Sequence, residues 1–178
     1  MTTPFNISSQ EEKLVNDCLK GERLAQKEVY ERYKDAMYNV ALRITNNSDD
    51  ACDCLQEAFI QIYRDLEKFN KMSTLGAWIK TIVVRTAIKT KKALCATESI
   101  DEMKSSEVIE WPNEISGDEL NKAISELSDG YRMVFLLTEV EGYTHKEVAE
   151  MLNISAGTSK SQLFHAKKLL QQKLKHLI

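Results

Sequence analysis

Proline and glycine are scarce in this chain, two and six among 178 residues. With few chain breakers and apolar residues recurring at helical spacing, strands and hairpins have little support, and an all-α fold is expected. Long apolar runs are missing too. The longest, around residues 82–84 and 133–137, fall far short of the roughly 20 residues that cross a bilayer, so no membrane insertion is expected. Residues 1–12 lack a basic segment followed by an apolar core, and a cytoplasmic location is therefore expected. The four cysteines, Cys18, Cys52, Cys54 and Cys95, make no CxxC pair, and no histidine stands at zinc-ligand spacing; neither a metal nor a cofactor is expected. On one helix, Cys52 and Cys54 would point to nearly opposite sides at about 100° per residue. All four are read as reduced thiols, with any redox role left open. The chain also lacks a Gly-rich phosphate loop, and its three histidines, His145, His165 and His176, cluster near one segment. An enzyme with a small-molecule substrate is not expected.

What the chain does have is segregated charge. The formal net charge is -3, which taken as a sum disfavours a nucleic-acid partner, but distribution matters more than the sum. Between Glu67 and Glu98 no acid occurs, while Lys68, Lys71, Lys80, Arg85, Lys89, Lys91 and Lys92 do. After Glu150 the acids stop again, and Lys160, Lys167, Lys168, Lys173 and Lys175 follow. Either tract alone reads equally well as a solvated helix face. Two in an otherwise acidic chain favour a polyanion partner.

The periodicity divides the chain into two small helical domains, residues 1–93 and 118–178, joined by an acidic, flexible linker over 94–117. In the first, helices are expected over 14–19, 25–42, 50–68 and 75–92, with a break near Gly21 and a capping turn at 46–49. Leu55, Phe59, Ile62 and Leu66 form one apolar stripe. Asp53, Gln56, Glu57 and Arg64 project from the other side, and by themselves read as a solvated face. Trp78, Ile82 and Val83 are expected to point inward from the fourth helix.

In the second domain, helices are expected over 118–127 and 130–140, followed by a more specific pattern. A short helix over 144–152 carries Val148, Ala149 and Leu152 on one side, with a turn at Asn153, Ile154 and Ser155 and a helix from Ala156 to about Leu177. Asn tolerates the left-handed conformation of such a turn, and Ser155 can cap the helix that follows. These are the parts of a helix-turn-helix, whose second helix places side chains at base edges and lysines at phosphates. The candidates are Thr158, Lys160, Ser161, Gln162, Phe164, His165 and Lys167. The competing interpretation is an ordinary amphipathic hairpin with Leu163, Leu169, Leu170 and Leu174 in its core.

Two separated blocks carry a resemblance. DACDCLQEAF at 50–59, continuing through Phe69 to Leu75, Trp78 and Ile79, resembles conserved region 2 of the extracytoplasmic-function (ECF) sigma factors of bacterial RNA polymerase. ISELSDGYRMVF at 124–135, EGYTHKEVA at 141–149 and ISAGTSKSQL at 154–163 resemble region 4. The resemblance covers roughly residues 10–175, and the order of the blocks makes it specific. It implies a non-enzymatic sigma factor that directs promoter recognition, promoter melting and transcription initiation. Asp53, Gln56 and Glu57 would dock on the clamp helices of the largest polymerase subunit. Asn70, Lys71, Ser73, Trp78, Lys80, Arg85 and Lys89 would hold the melted minus-10 element, where unpaired bases need pockets and a cationic track. Region 4 would read the minus-35 duplex and meet the flap of the second-largest subunit. An anti-sigma factor is a further expected partner beside core polymerase and promoter DNA.

The departures are specific. Relatives usually have Arg-Gly-(Asp/Glu)-Ser after the phenylalanine, whereas this chain has Asn70, Lys71, Met72 and Ser73. Arg85 and Lys89 stand where relatives often have Asn or Asp, and Gln162 and His165 where many have arginine. Two other readings compete: an autonomous helix-turn-helix regulator that binds DNA without polymerase, and a helical protein that only titrates a partner.

Overall fold

Helix starts and stops are encoded by a few short side chains. The computed structural model describes residues 8–94 and 116–175. Ser8 accepts a hydrogen bond from the Glu11 N–H at 3.1 Å and opens α1, Ser9–Leu19. Gly21, at φ +81, turns the chain into α2, Arg23–Thr45. Two asparagines then make the next corner. Asn46 closes α2 in the left-handed conformation at φ 55, and Asn47 opens α3, Ser48–Asp65, by accepting from the N–H groups of Asp49 and Asp50 at 2.8 and 3.0 Å. Short amide side chains suit both tasks. A 3-10 turn, Leu66–Lys68, extends α3 before the loop that leads to α4, Leu75–Leu94. Among the described residues there is no strand.

The chain divides into two compact units, Met1–Ala96 and Thr97–Ile178. In the first, α2, α3 and α4 pack on one another and α1 lies against α2. Leu55, Phe59, Ile62 and Leu66 are all buried, as their spacing predicts. They share the core with Val40, Ala41 and Ile44 of α2 and with Ile79, Val83, Val84 and Ala87 of α4. Ala41, Ala51, Ala58 and Ala87 have no exposed surface; small side chains there allow close helix approach. Val83 is buried as expected, whereas Trp78 and Ile82 are only half-buried. Their side of α4 is the one left partly open by its neighbours.

Polar groups link these helices as well. The Tyr63 hydroxyl on α3 donates to the Gln26 carbonyl on α2 at 2.8 Å, and burial pushes the phenol up to about 12. The Cys54 thiol, 1% exposed, donates to the Val83 carbonyl on α4 at 3.8 Å. Burial, and then the charge of Glu57, pushes it up to about 12. Cys18 is buried and its thiol raised mainly for the same reason, while Cys52 is exposed, on the other side of α3 from Cys54. Cys95 lies outside the described residues.

In the second unit, α5, Gly117–Ser125, opens on a reciprocal cap between Ser116 and Glu119. α6, Asp129–Phe135, runs on into a π-helical turn, Leu136–Val140. The sequence predicts one uninterrupted helix here. Instead the Glu141 N–H donates to the Leu136 carbonyl at 2.9 Å, and the wider turn coincides with full burial of the adjacent Leu136 and Leu137. α7, His145–Leu152, opens on a second reciprocal cap, Thr144 with Glu147. The Thr144 N–H and hydroxyl both donate to Glu147 and hold its carboxyl below the usual range. That contribution to α7 is therefore complete above the ordinary carboxylate range and is lost as the pH falls through the lowered value. Asn153 ends α7 at φ 56, and Ser155 opens α8, Ala156–Leu174, accepting from the Thr158 N–H at 2.8 Å. Helices α5, α6 and α7 all pack on α8, around Val134, Leu137, Val148, Ala166 and Leu170. Most of the expected linker, 95–115, and the last three residues lie outside the described residues.

One charge is buried in this core. Arg132 is 2% exposed; it donates to the Leu127 carbonyl at 3.0 Å and pairs with Asp129, closing the corner between α5 and α6. Removing Arg132 leaves the buried Leu127 carbonyl without its donor and a void in the core, so Arg132→Ala is expected to destabilise the second unit by about 2–3 kcal/mol, measured by hydrogen exchange at the α6 amides. Iodoacetamide is expected to modify Cys52 in the folded chain and Cys18 and Cys54 only after denaturation. Equal rates at all three, read by mass spectrometry, would contradict the burial described.

Candidate protein- and nucleic-acid-binding surfaces

The outward stripe of α3 follows from the inward one. With its apolar stripe and three alanine and cysteine side chains buried, α3 leaves Asp53, Gln56 and Glu57 exposed rather than packed on their own domain. Arg64 continues this stripe, and so does Ile60, which is 61% exposed. Sequence reasoning overlooked Ile60, although its position three residues after Glu57 and seven after Asp53 signalled the same face. An isoleucine so open, flanked by carboxylates and an arginine, puts an apolar side chain into an otherwise polar row. Glu57 also accepts a hydrogen bond from Lys89 of α4 at 3.0 Å.

The loop before α4 and the open side of that helix form a second surface. Phe69 is buried, and its ring lies 5.5 Å from that of Trp78. Between them the chain makes a tight bend. The Asn70 side chain accepts from the Met72 N–H at 3.2 Å, and Lys71 adopts φ +59, a conformation that favours glycine. Two carboxylates of α1 reach this bend: Glu12 pairs with Lys71, and Glu11 accepts from the Leu75 N–H at 3.3 Å at the start of α4. Ser73 is half-buried, its hydroxyl donating to the Thr74 carbonyl at 3.3 Å. Along α4, Trp78, Arg85 and Lys89 share one stripe, being seven and eleven residues apart, and the two cations are exposed. Lys80 does not join them. Two residues beyond Trp78, it is turned about 200° around the helix and is half-buried on the other side.

The third surface lies on α8. Its inward face is Ser159, Gln162, Ala166, Leu170 and Leu174, all buried. Gln162, 5% exposed, thus faces the core of its own unit rather than a groove. The polar type suggested a base contact, but the helical register sets its direction. Ser159 has no exposed surface, and its hydroxyl lies 2.9 Å from His145 Nδ1, which ties the start of α7 to α8. This bond braces the crossing of the two helices. Lys160, Ser161 and Phe164 lie on the outward side, and Lys168, singled out earlier only as part of a basic tract, continues that stripe. Thr158 stands half-buried at its edge, its hydroxyl 2.8 Å from that of Ser155. His165 leans against Tyr131 of α6, ring centroids 6.0 Å apart, and Lys167 pairs with Glu139 at 2.9 Å. A short helix crossing a longer, acid-free one, with a left-handed asparagine between them, is the geometry of a helix-turn-helix.

Comparison with known proteins agrees with this arrangement. The family model described as Sigma-70 region 2 matches residues 29–94, and that described as Sigma-70, region 4 matches residues 117–170. The ECF RNA polymerase sigma factor SigW of Bacillus subtilis is 26% identical over 181 residues, covering 93% of this chain and 97% of its own. The ECF RNA polymerase sigma-E factor of Escherichia coli (strain K12) is 28% identical over 184 residues, covering 93% and 94%. Among solved structures, the sigma factor RpoE in complex with the anti-sigma factor NepR from Bartonella quintana superposes with a TM-score of 0.55 at 21% identity, over 84% of this chain and 96% of that one. CnrH in complex with the cytosolic domain of CnrY gives 0.53 at 18%, over 93% and 97%. These structural likenesses concern the fold; both region models, matched in order along one chain beside full-length relatives, place this protein among the ECF sigma factors of RNA polymerase, within the sigma-70 family.

Proposed function

We propose that this sigma factor joins core RNA polymerase through the outward stripe of α3 and carries promoter DNA on the two basic surfaces. The observation that carries the reading is the exposure of Asp53, Gln56 and Glu57 in one row with Ile60 and Arg64. Carboxylates and an amide suit the basic clamp helices of the largest subunit through charge complementarity, and the isoleucine gives that contact an apolar centre. The bend at Asn70, Lys71 and Ser73 with Trp78, Arg85 and Lys89 offers an aromatic platform and cations to the unpaired minus-10 strand. Lys80 belongs less directly, from the other side of α4. In the second unit, Thr158, Lys160, Ser161, Phe164, His165 and Lys167, together with Lys168, would meet the minus-35 duplex, with Gln162 supporting α8 from within. The same unit would also meet the flap of the second-largest subunit.

The chain acts in this reading as a non-enzymatic cytoplasmic subunit. No described helix is long and apolar enough to cross a membrane. Both proteins of like fold were solved as complexes, one of them with an anti-sigma factor. An anti-sigma partner for this chain is proposed on that likeness. The autonomous-regulator alternative differs in one respect that can be measured, because it requires tight, specific promoter binding without polymerase.

Reversing charge in D53K/E57K is expected to weaken association with core at least about tenfold while leaving the fold intact, as judged by copurification beside circular dichroism. Ile60→Asp is expected to do the same, since a buried charge replaces an apolar contact, and Ile60→Leu to have little effect. Retained copurification of both D53K/E57K and Ile60→Asp would refute the docking assignment. A gel shift with and without core enzyme separates sigma factor from regulator.

A further inference from the structure

Among the described residues, four ion pairs join partners far apart in the sequence whose cation is a lysine of an acid-free tract. Lys71 pairs with Glu12, Lys89 with Glu57 at 3.0 Å, Lys167 with Glu139 at 2.9 Å, and Lys173 with Glu126 at 2.6 Å. The pairs Arg32–Glu28 and Lys34–Glu31, by contrast, run along one helix and lie outside the tracts. The Glu126 carboxyl is held below its usual range by the hydrogen bond from Lys173 and by that ammonium's charge. Glu12 comes from α1, Glu57 from α3, Glu139 from the π-helical turn and Glu126 from the end of α5. Carboxylates from four different elements thus converge on lysines of α8, of α4 and of the loop before α4.

We propose that Glu12, Glu57, Glu126 and Glu139 are specificity-determining counter-anions: they occupy ammonium groups that would otherwise bind phosphates, and so suppress binding to DNA of arbitrary sequence. This rests on the promoter-binding reading above. Non-specific affinity comes almost wholly from lysines that neutralise phosphates and release condensed counterions. A lysine already paired must exchange one anion for another, and the net gain is correspondingly small. Solvent-exposed pairs are weak, so base contacts and the captured minus-10 strand can still override them at a promoter. The suppression therefore acts chiefly on sites that offer phosphate alone. Glu57 adds a coupling. It lies on the face proposed for core polymerase, and a clamp residue that engages its carboxylate withdraws it from Lys89, so that docking and DNA affinity rise together.

The test uses the full chain and a labelled duplex of no promoter sequence, followed by fluorescence anisotropy across a salt series. The variant E12Q/E126Q/E139Q keeps side-chain shape and removes three counter-anions. It is expected to bind about tenfold or more tightly at low salt, each pair contributing about two- to fivefold. Its log–log salt dependence is expected to steepen by about two to three units, near 0.9 for each phosphate newly neutralised. The control D17N/E28Q/E31Q makes the same change in net charge but frees Lys20, Arg32 and Lys34 outside the tracts; less than a twofold gain is expected. An unchanged E12Q/E126Q/E139Q, or a control that gains as much, would overturn the proposal. E57Q is expected to lose core association while gaining non-specific DNA affinity, opposite signs that general unfolding would not produce; loss of both would overturn the coupling. Core-dependent transcription by the unaltered chain tests the promoter reading separately, so the two failures are distinguishable.

Discussion

The packing of α3 between α2 and α4 constrains everything else in the first unit. A helix turns about 100° per residue, so burying Leu55, Phe59, Ile62 and Leu66 dictates where the remaining side chains go. Asp53, Gln56, Glu57 and Ile60 face outward because the stripe beside them is committed to the core. Cys54 and Tyr63 strengthen that commitment by bonding to backbone carbonyls of the flanking helices. The proposed contact face is thus held by a rigid core rather than by a loop. Burial of the apolar stripe sets its geometry.

The second unit reaches the same kind of rigidity by other means. Its helices are short, and their boundaries rest on side-chain caps at Ser116, Thr144 and Ser155. The angle between α7 and α8 depends on a left-handed Asn153 and on one bond between His145 and a fully buried Ser159. These are local interactions of about 1 kcal/mol each. The bonds gathered around Asn153 help these short helices hold a fixed crossing, while the buried Arg132 supports the corner between α5 and α6.

Much of this was legible in the chain because short-range chemistry encodes it. The all-helical class, the apolar stripe of α3, the opposite facing of Cys52 and Cys54, the caps at 46–49 and Ser155 and the helix-turn-helix corner all depend on residues within one or two turns of each other. What was not legible depends on tertiary surroundings. Periodicity assigns residues to faces of a helix but does not say how many of those faces neighbours cover. Helix α4 is enclosed on most sides, so Lys80 and Trp78 fell on unexpected parts of it. Gln162 looked like a base-reading residue by type and proved inward by register. Ile60 escaped notice because an apolar side chain is assumed to be core until its neighbours are known. The π-helical turn has no short sequence signature, and the long-range lysine–glutamate pairs have none at all.

The bend at Lys71 has a consequence for how this loop can vary. A residue with a Cβ at φ +59 is held about 1 kcal/mol or more above its relaxed conformation, and β-branched side chains are penalised further. Variation at this position is filtered first by the backbone and only afterwards by whatever the loop touches. Glycine, asparagine and aspartate are the residues admitted at low energy, and they carry no positive charge. A cation can stand at the tip of this bend only if the packing of Phe69 and the start of α4 hold the chain in place beneath it, so the loop's chemistry and the stability of the helices behind it vary together.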